Sequence, residues 1–149
     1  MIRFLLPLFL PTLAAAQTVI SIADGDTLTV LHEQKQIRVR LAEIDAPERK
    51  QPFGTRSRQS LAEICYRKEA KLTSTRTDRF GRTVARVHCN GMDANAEQVR
   101  RGMAWVYDRY ASDVNLMVLQ AEAREERRGL WADKEPIKPW GWRRQRKSD

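Results

Sequence analysis

The sequence predicts an α+β chain, mainly β: a small barrel of short strands that carries helices. Three observations lead there. Apolar and polar residues alternate with a period of two in several short segments between Val19 and His88, the pattern of half-buried strands. One helical pattern interrupts these strands and two more follow them. At 149 residues, 42% hydrophobic and 31% charged, the chain can bury one good core, and its composition is neither disordered nor polytopic.

Residues 1–16 stand apart from the fold. Arg3 is followed by an apolar run from Phe4 to Leu13 and then Ala14-Ala15-Ala16, the charged, apolar and small-residue order of a secretory signal peptide. Pro7 and Pro11 interrupt the run, which is also too short to span a membrane as a helix. The expectation is an exported protein, periplasmic or secreted, with no membrane segment in its mature form. Export bears on Cys65 and Cys89. They either bridge, as such pairs commonly do in an oxidising compartment, or remain two buried thiols.

Val19–Ala23 and Thr27–Leu31 flank the turn signal Asp24-Gly25 and read as strands. In the next strand Ile37, Val39 and Leu41 alternate with Arg38 and Arg40, and His32–Gln34 would close the hairpin. Pairing Leu28 with Val39 and Val30 with Ile37 gathers apolar residues on one face and sets Asp26 opposite Leu41 at the open end. A helix is expected from about Thr55 to Arg67, then strands at Ala70–Thr77 and Thr83–His88 around the turn Asp78–Arg82. Asn95 with Gln98 resembles a capping box, and Gly102 is a plausible stop for that short helix. The last helix runs from about Val114 to Arg128 and ends at Gly129. Trp131 is expected to pack on the core. Residues 133–149, with Trp140, Trp142 and Arg143-Arg144-Gln145-Arg146-Lys147, are expected to form a partly ordered, solvated basic tail. The domain would therefore occupy residues 17–132. An OB-type barrel is one fold that suits these elements, and its face and loops commonly bind oligonucleotides.

Charge points the same way. Lys and Arg number 27 against 19 Asp and Glu, a formal charge of +8, and 20 of the 27 are Arg, the better fork for phosphate. Three acids, Asp26, Asp45 and Glu48, cluster near the hairpin's open end, and such oxygens suit a hard cation. Arg40 and Arg82 lie close by in sequence. Carboxylates with a cation handle an attacking water, while arginines stabilise charge on phosphoryl oxygens. Strict alternation turns Arg40 away from Asp26, so a bulge, a twist or the strand's end has to re-aim it.

Asp24-Gly25-Asp26-Thr27, Val39-Arg40-Leu41, Ile44-Asp45-Ala46-Pro47-Glu48 and Thr77-Asp78-Arg79-Phe80-Gly81-Arg82, in this order, resemble the signature segments of the staphylococcal nuclease (thermonuclease) family. The resemblance extends from about Val19 to Trp131. It implies a five-stranded OB-fold barrel with three helices and a Ca²⁺-dependent nuclease that cuts DNA and RNA, single-stranded or frayed, to leave 3′-phosphate ends. It implies Asp26, Asp45 and the backbone carbonyl of Ala46 as metal ligands, Glu48 as general base, and Arg40 and Arg82 as phosphate-binding arginines. Arg79, Phe80, Tyr107 and Tyr110 become substrate-binding candidates, with Phe80 standing where a Tyr is common. The segment Arg49–Phe53 is shorter than the mobile loop of the staphylococcal protein. A monomer is expected. The rival reading is an OB-fold nucleic-acid-binding module without catalysis. A membrane-surface protein is disfavoured, because no strongly amphipathic basic helix is evident.

Overall fold

The computed structural model describes residues 16–148, so the expected signal peptide lies outside the described residues apart from Ala16. Strands β1 (Thr18–Asp24), β2 (Thr27–His32) and β3 (Lys35–Leu41) form an antiparallel meander. Leu28 pairs with Val39 and Val30 with Ile37, the register that keeps their side chains on the buried face. The β2–β3 turn places Glu33 and Gln34 at φ 47° and 66°, the left-handed pair that a two-residue hairpin needs to match strand twist.

After β3 the chain reverses through Glu43 (φ 65°) into the two-residue strand β4 (Ile44–Asp45). Helix α1 (Gly54–Cys65) follows, then β5 (Ala70–Thr77), β6 (Thr83–Cys89) and the short β7 (Met92–Asp93). Helix α2 (Ala94–Arg100), β8 (Trp105–Val106), helix α3 (Val114–Glu125), a 3-10 turn at Gly129–Ala132 and helix α4 (Pro139–Arg146) complete the chain. The main sheet has the order β1-β2-β3-β6-β5, with β3 and β6 parallel and β7 on the end of β6, while β4 pairs with β8. Among the described residues no full ladder closes the barrel. Its two edges meet through a single bridge, Thr18 to Glu69, reinforced by the Ala70 N–H donating to the Gln17 carbonyl at 2.7 Å.

The core inside this curled sheet is Val19, Leu28, Val30, Val39, Leu41, Val87 and their neighbours, capped by Leu61 and Ile64 of α1 and Val99 of α2. A second cluster holds Trp105, Ala123, Leu130 and Trp131, with Trp105 and Trp131 edge to face at 4.4 Å. Cys65 at the end of α1 and Cys89 at the end of β6 are joined by a disulfide that spans 24 residues. On the chain-entropy model such a loop contributes about 3–4 kcal/mol.

Three local expectations are corrected. Asn95 and Gln98 are not a capping box: Asp93 caps α2 by accepting from the Ala96 N–H, and both amides are fully buried. The Asn95 side chain accepts from Val87 N–H (3.0 Å) and donates to the Ala42 carbonyl (2.8 Å), while Gln98 donates to the carbonyls of Gly25 (2.7 Å) and Ser57 (3.0 Å). Backbone groups stranded at the barrel end need partners, and these amides supply them. Second, α3 stops at Glu125, and Arg127 at φ 53° takes the left-handed position ahead of Gly129. Gly102, by contrast, does follow α2 at φ 69°. Third, residues 133–148 are not a solvated extension. They fold back over the domain and end in α4, which makes four α-helices among the described residues where three were expected. Among the described residues no helix is long and apolar enough to cross a membrane.

Asn95→Ala would leave two buried backbone groups unpaired and cost about 2–4 kcal/mol. Urea unfolding checks this, with an unchanged m-value and a lower midpoint as the expected result.

Candidate active site

The site is assembled where the β1–β2 turn meets the β3–β4 reversal. Gly25 lies flat against α1, where an added Cβ would stand 1.7 Å from Ser57 Oγ. Ser57 Oγ itself donates to the Met103 carbonyl at 2.6 Å, so it has no freedom to move aside. Glycine is required here by close approach. The turn therefore holds Asp24 and Asp26 at a fixed height beside β4.

Asp26 is buried and fully engaged: Oδ2 accepts from the Ala46 N–H at 2.7 Å, and Oδ1 accepts from Thr27 Oγ1 at 2.9 Å. Asp45, also buried, follows Ile44 on β4. The Arg40 guanidinium lies between them, with Nη2 at 3.2 Å from Asp45 Oδ1 and 3.7 Å from Asp26 Oδ2, and Nη1 donating to the Ile44 carbonyl at 3.3 Å. Alternation along β3 stays regular, and no bulge re-aims Arg40. Instead the chain reverses after Leu41 and carries Ile44 and Asp45 back past the arginine. Glu48 stands two residues beyond Ala46, on a loop where Gln51 Oε1 accepts from the Glu48 N–H at 3.1 Å.

The electrostatics follow from this crowding. Burial pushes the Asp26 carboxyl up, but the Arg40 charge and hydrogen bonds from Asp24, Ala46 and Thr27 outweigh it and hold Asp26 below the usual carboxylate range. Asp24 is raised to about 7, by burial first and by the adjacent Asp26 charge second. Asp45 is also raised: burial and Asp26 push it up, against hydrogen bonds and charge from Arg143 and Arg40.

Arg143 was not singled out by the sequence as a site residue, yet it completes the cluster. Its guanidinium leaves α4 and donates to both oxygens of Asp45, at 2.6 Å (Oδ2) and 3.2 Å (Oδ1), and to Glu48 Oε1 at 2.7 Å. Nothing in a basic, Trp-containing terminus says which of several arginines will face inward. Asp24 was legible as part of a turn, but its proton-sharing with Asp26 depends on their spacing in three dimensions.

Other expected residues stand further off. The Arg82 guanidinium is turned to Asp78 (Nε to Oδ2, 2.7 Å) and packs over Phe80, so it is not among the groups gathered around Asp26 and Asp45. Thr83 pairs with Val39, which places Arg82 beside the strand that carries Arg40. Phe80, 67% exposed, is flanked by Arg79 at 4.7 Å and Arg82 at 5.4 Å. Tyr107 and Tyr110 are neighbours, 5.3 Å between ring centroids, and Trp140 of α4 covers Tyr107 at 5.0 Å. His32 and His88 take no part.

Whether this donor set suits Ca²⁺ depends on its oxygens. Asp26 and Asp45 both face one cationic group, Arg40, and a second, Arg143, already sits on Asp45 and Glu48 as a cation would. Among the described residues no cluster of three or more His, Cys, Asp or Glu side chains is poised to hold a metal ion. Two carboxylates with one backbone carbonyl, the expected set, need no third side chain. In donor chemistry alone, carboxylate and carbonyl oxygens are of the kind a hard cation takes.

An OB-type barrel that gathers buried carboxylates and arginines at one end defines the class of fold and site, and comparison with known proteins narrows it. Residues 38–133 match the family model described as "Staphylococcal nuclease homologue". A Haemophilus influenzae protein described as an uncharacterized endonuclease is 46% identical over 130 residues, 87% of this chain and 73% of its own. The Shigella flexneri micrococcal nuclease is 43% identical over 141 residues, 87% of this chain and 81% of its own. A staphylococcal-like nuclease of Arabidopsis thaliana is 37% identical over 113 residues, 76% of this chain and 35% of its own. The chain belongs to the staphylococcal nuclease family.

The raised Asp24 carboxyl has a measurable consequence. Between its unfolded pKa near 3.8 and its folded value of about 7, the native state keeps a proton that the unfolded chain releases. Stability in chelator should therefore fall as pH rises through that window, and Asp24→Asn should flatten the slope. Denaturant midpoints measured from pH 4 to 8 test it.

Proposed function

We propose that this protein is an exported, Ca²⁺-dependent, sugar-non-specific nuclease that hydrolyses DNA and RNA to leave 3′-phosphate ends. The observation that carries the reading is the pair Asp26 and Asp45 facing the Arg40 guanidinium at one end of the barrel, with Glu48 beside them. Family membership and relatives described as nucleases support it.

Asp26, Asp45 and the Ala46 carbonyl would hold the cation. Bound there, Ca²⁺ supplies positive charge beside a phosphoryl oxygen and lowers the pKa of a water. The remaining work belongs to the chain. Glu48, partly exposed on its loop, accepts the proton of the attacking water and orients it in line with the scissile P–O5′ bond, whose oxygen leaves as a 5′-hydroxyl on taking a proton from solvent. Arg40, held by Asp26 and Asp45, donates its remaining N–H groups to the phosphoryl oxygens as charge builds there. Arg82, half-exposed, would exchange Asp78 for phosphate, while the Phe80 and Arg82 backbone N–H groups keep Asp78 paired. Phe80 offers a π-face where a phenol would hydrogen-bond, so the turn Asp78–Arg82 grips a nucleobase or sugar rather than a terminal phosphate. A single or frayed strand suits this layout, because the acids lie at the rim of a narrow barrel and are reached by an unpaired strand more easily than by a duplex.

Expected outcomes are specific. Chelation abolishes hydrolysis of both DNA and RNA. Glu48→Gln lowers kcat by about 10²–10⁴-fold, and Arg40→Ala lowers it by about 10²–10³-fold. End-labelled oligonucleotides with chelator controls report all three, together with the end chemistry. Strand binding without cleavage at any Ca²⁺ concentration would establish the binding-module reading instead.

A further inference from the structure

Helix α4 lies over the carboxylates that the proposed reaction uses. Its approach is built in steps. Gln51, buried on the Glu48 loop, donates through Nε2 to the Ile137 carbonyl at 2.6 Å and so ties the incoming strap to that loop. Lys138 Nζ reaches Asp108 at 3.5 Å and lies over the Trp105 and Trp140 rings. Pro139 starts the helix, where its missing N–H is no loss. Trp140 then packs on Trp105 (6.0 Å) and Tyr107 (5.0 Å), and one turn on Arg143 delivers its guanidinium to Asp45 and Glu48.

Every Asp45 oxygen is thereby occupied. Oδ2 accepts from Arg143, and Oδ1 accepts from both Arg143 and Arg40. A divalent cation on Asp45 would have to lie against two guanidinium charges that already neutralise it, and Glu48 keeps only Oε2 for a water while Oε1 accepts from Nη1. Arg143 is itself held firmly charged by its hydrogen bonds to Asp45 and Glu48. It therefore stands in the charge position of the cation.

We infer, resting on the function proposed above, that α4 is a self-inhibitory cover whose Arg143 competes with the divalent cation for Asp45 and Glu48. Two features make the cover displaceable. An eight-residue helix containing Gly141 has little stability of its own in water, so its docking depends on Trp140 and Arg143. Arg143 is also 40% exposed along its side chain, and a cation arriving at Asp45 would replace the charge that leaves with it. Once free, α4 presents Arg143, Arg144, Arg146 and Lys147 to a polyanion, which would hold the cover open while substrate is bound. The coupling is reciprocal: whatever factor α4 takes from cation affinity, the cation takes from α4 docking.

The test uses the full chain. Calorimetry with Ca²⁺ alone should show Arg143→Ala and Trp140→Ala binding about tenfold or more tighter than the unaltered protein, with Arg143→Lys between them. Hydrogen exchange across residues 139–146 should speed up when Ca²⁺ is added to the unaltered protein. Unchanged Ca²⁺ affinity in both Ala variants with unchanged exchange in α4 would overturn the inference and leave the proposed function standing. A raised KM for oligonucleotide in Arg143→Ala, with Ca²⁺ affinity unaltered, would overturn it by making Arg143 a phosphate ligand. Failure of every variant to bind Ca²⁺ would overturn both the inference and the cation-dependent reading on which it rests.

Discussion

Two carboxylates taken out of water at the same end of a barrel are the constraint on which the rest of this structure depends. Asp26 and Asp45 would repel each other and resist burial unless each were given compensating charge or hydrogen bonds. The protein supplies them from four directions: the Ala46 N–H, the Thr27 hydroxyl, Arg40 from the neighbouring strand and Arg143 from the far end of the chain. Asp24 adds a further adjustment by holding a proton up to about pH 7 and so leaving Asp26 as the charged member of that pair. The outcome is a pair of buried carboxylates, each paired with a guanidinium.

Behind the acids, the scaffold is arranged to keep backbone from moving. Gly25 is clamped against Ser57, and Gln98 holds the Gly25 carbonyl from the other side. Asn95 joins β6 to the reversal after β3 through Val87 and Ala42. Arg86 binds Asp93 and Asp113 together, which fixes the starts of α2 and α3 against β6. These are polar ties inside an apolar frame. The Asn95 and Gln98 ties are expensive to break because the backbone partners left behind are shielded from water, whereas the Arg86 pairs are partly solvated. That rigidity is what lets side chains from β2, β3, β4 and the Glu48 loop converge on one point.

Much of this was legible along the chain. The hairpin register followed from Leu28, Val30, Ile37 and Val39, because a one-residue slip would turn all four outward. The acids and Arg40 were legible as a group from their spacing, and the ordered motifs pointed to the family. Their roles came from the resemblance rather than from spacing. Asn95 and Gln98 were misread because a local capping pattern and a long-range amide clamp look the same in one dimension. Arg40 looked misdirected, since alternation reports which face a side chain takes and says nothing of a chain that turns back to meet it. The end of α3 was misplaced because Arg127, a residue with no preference for positive φ, takes the left-handed stop position ahead of Gly129.

The sequence by itself determined the strand periodicity, the buried register, the family motifs and the clustering of Asp26, Asp45 and Glu48, since each rests on residues near one another in the chain or on repeats it can display. Only the tertiary structure decided where the last sixteen described residues go. Arg143 meets Asp45 across 98 positions, and Trp140 meets Tyr107 and Trp105 across the second aromatic cluster. Arg143, Arg144 and Arg146 are chemically identical. Which one faces the acids is set by the helical phase that burying Pro139 and packing Trp140 on Trp105 and Tyr107 imposes, and that phase exists only once the barrel is there to pack against.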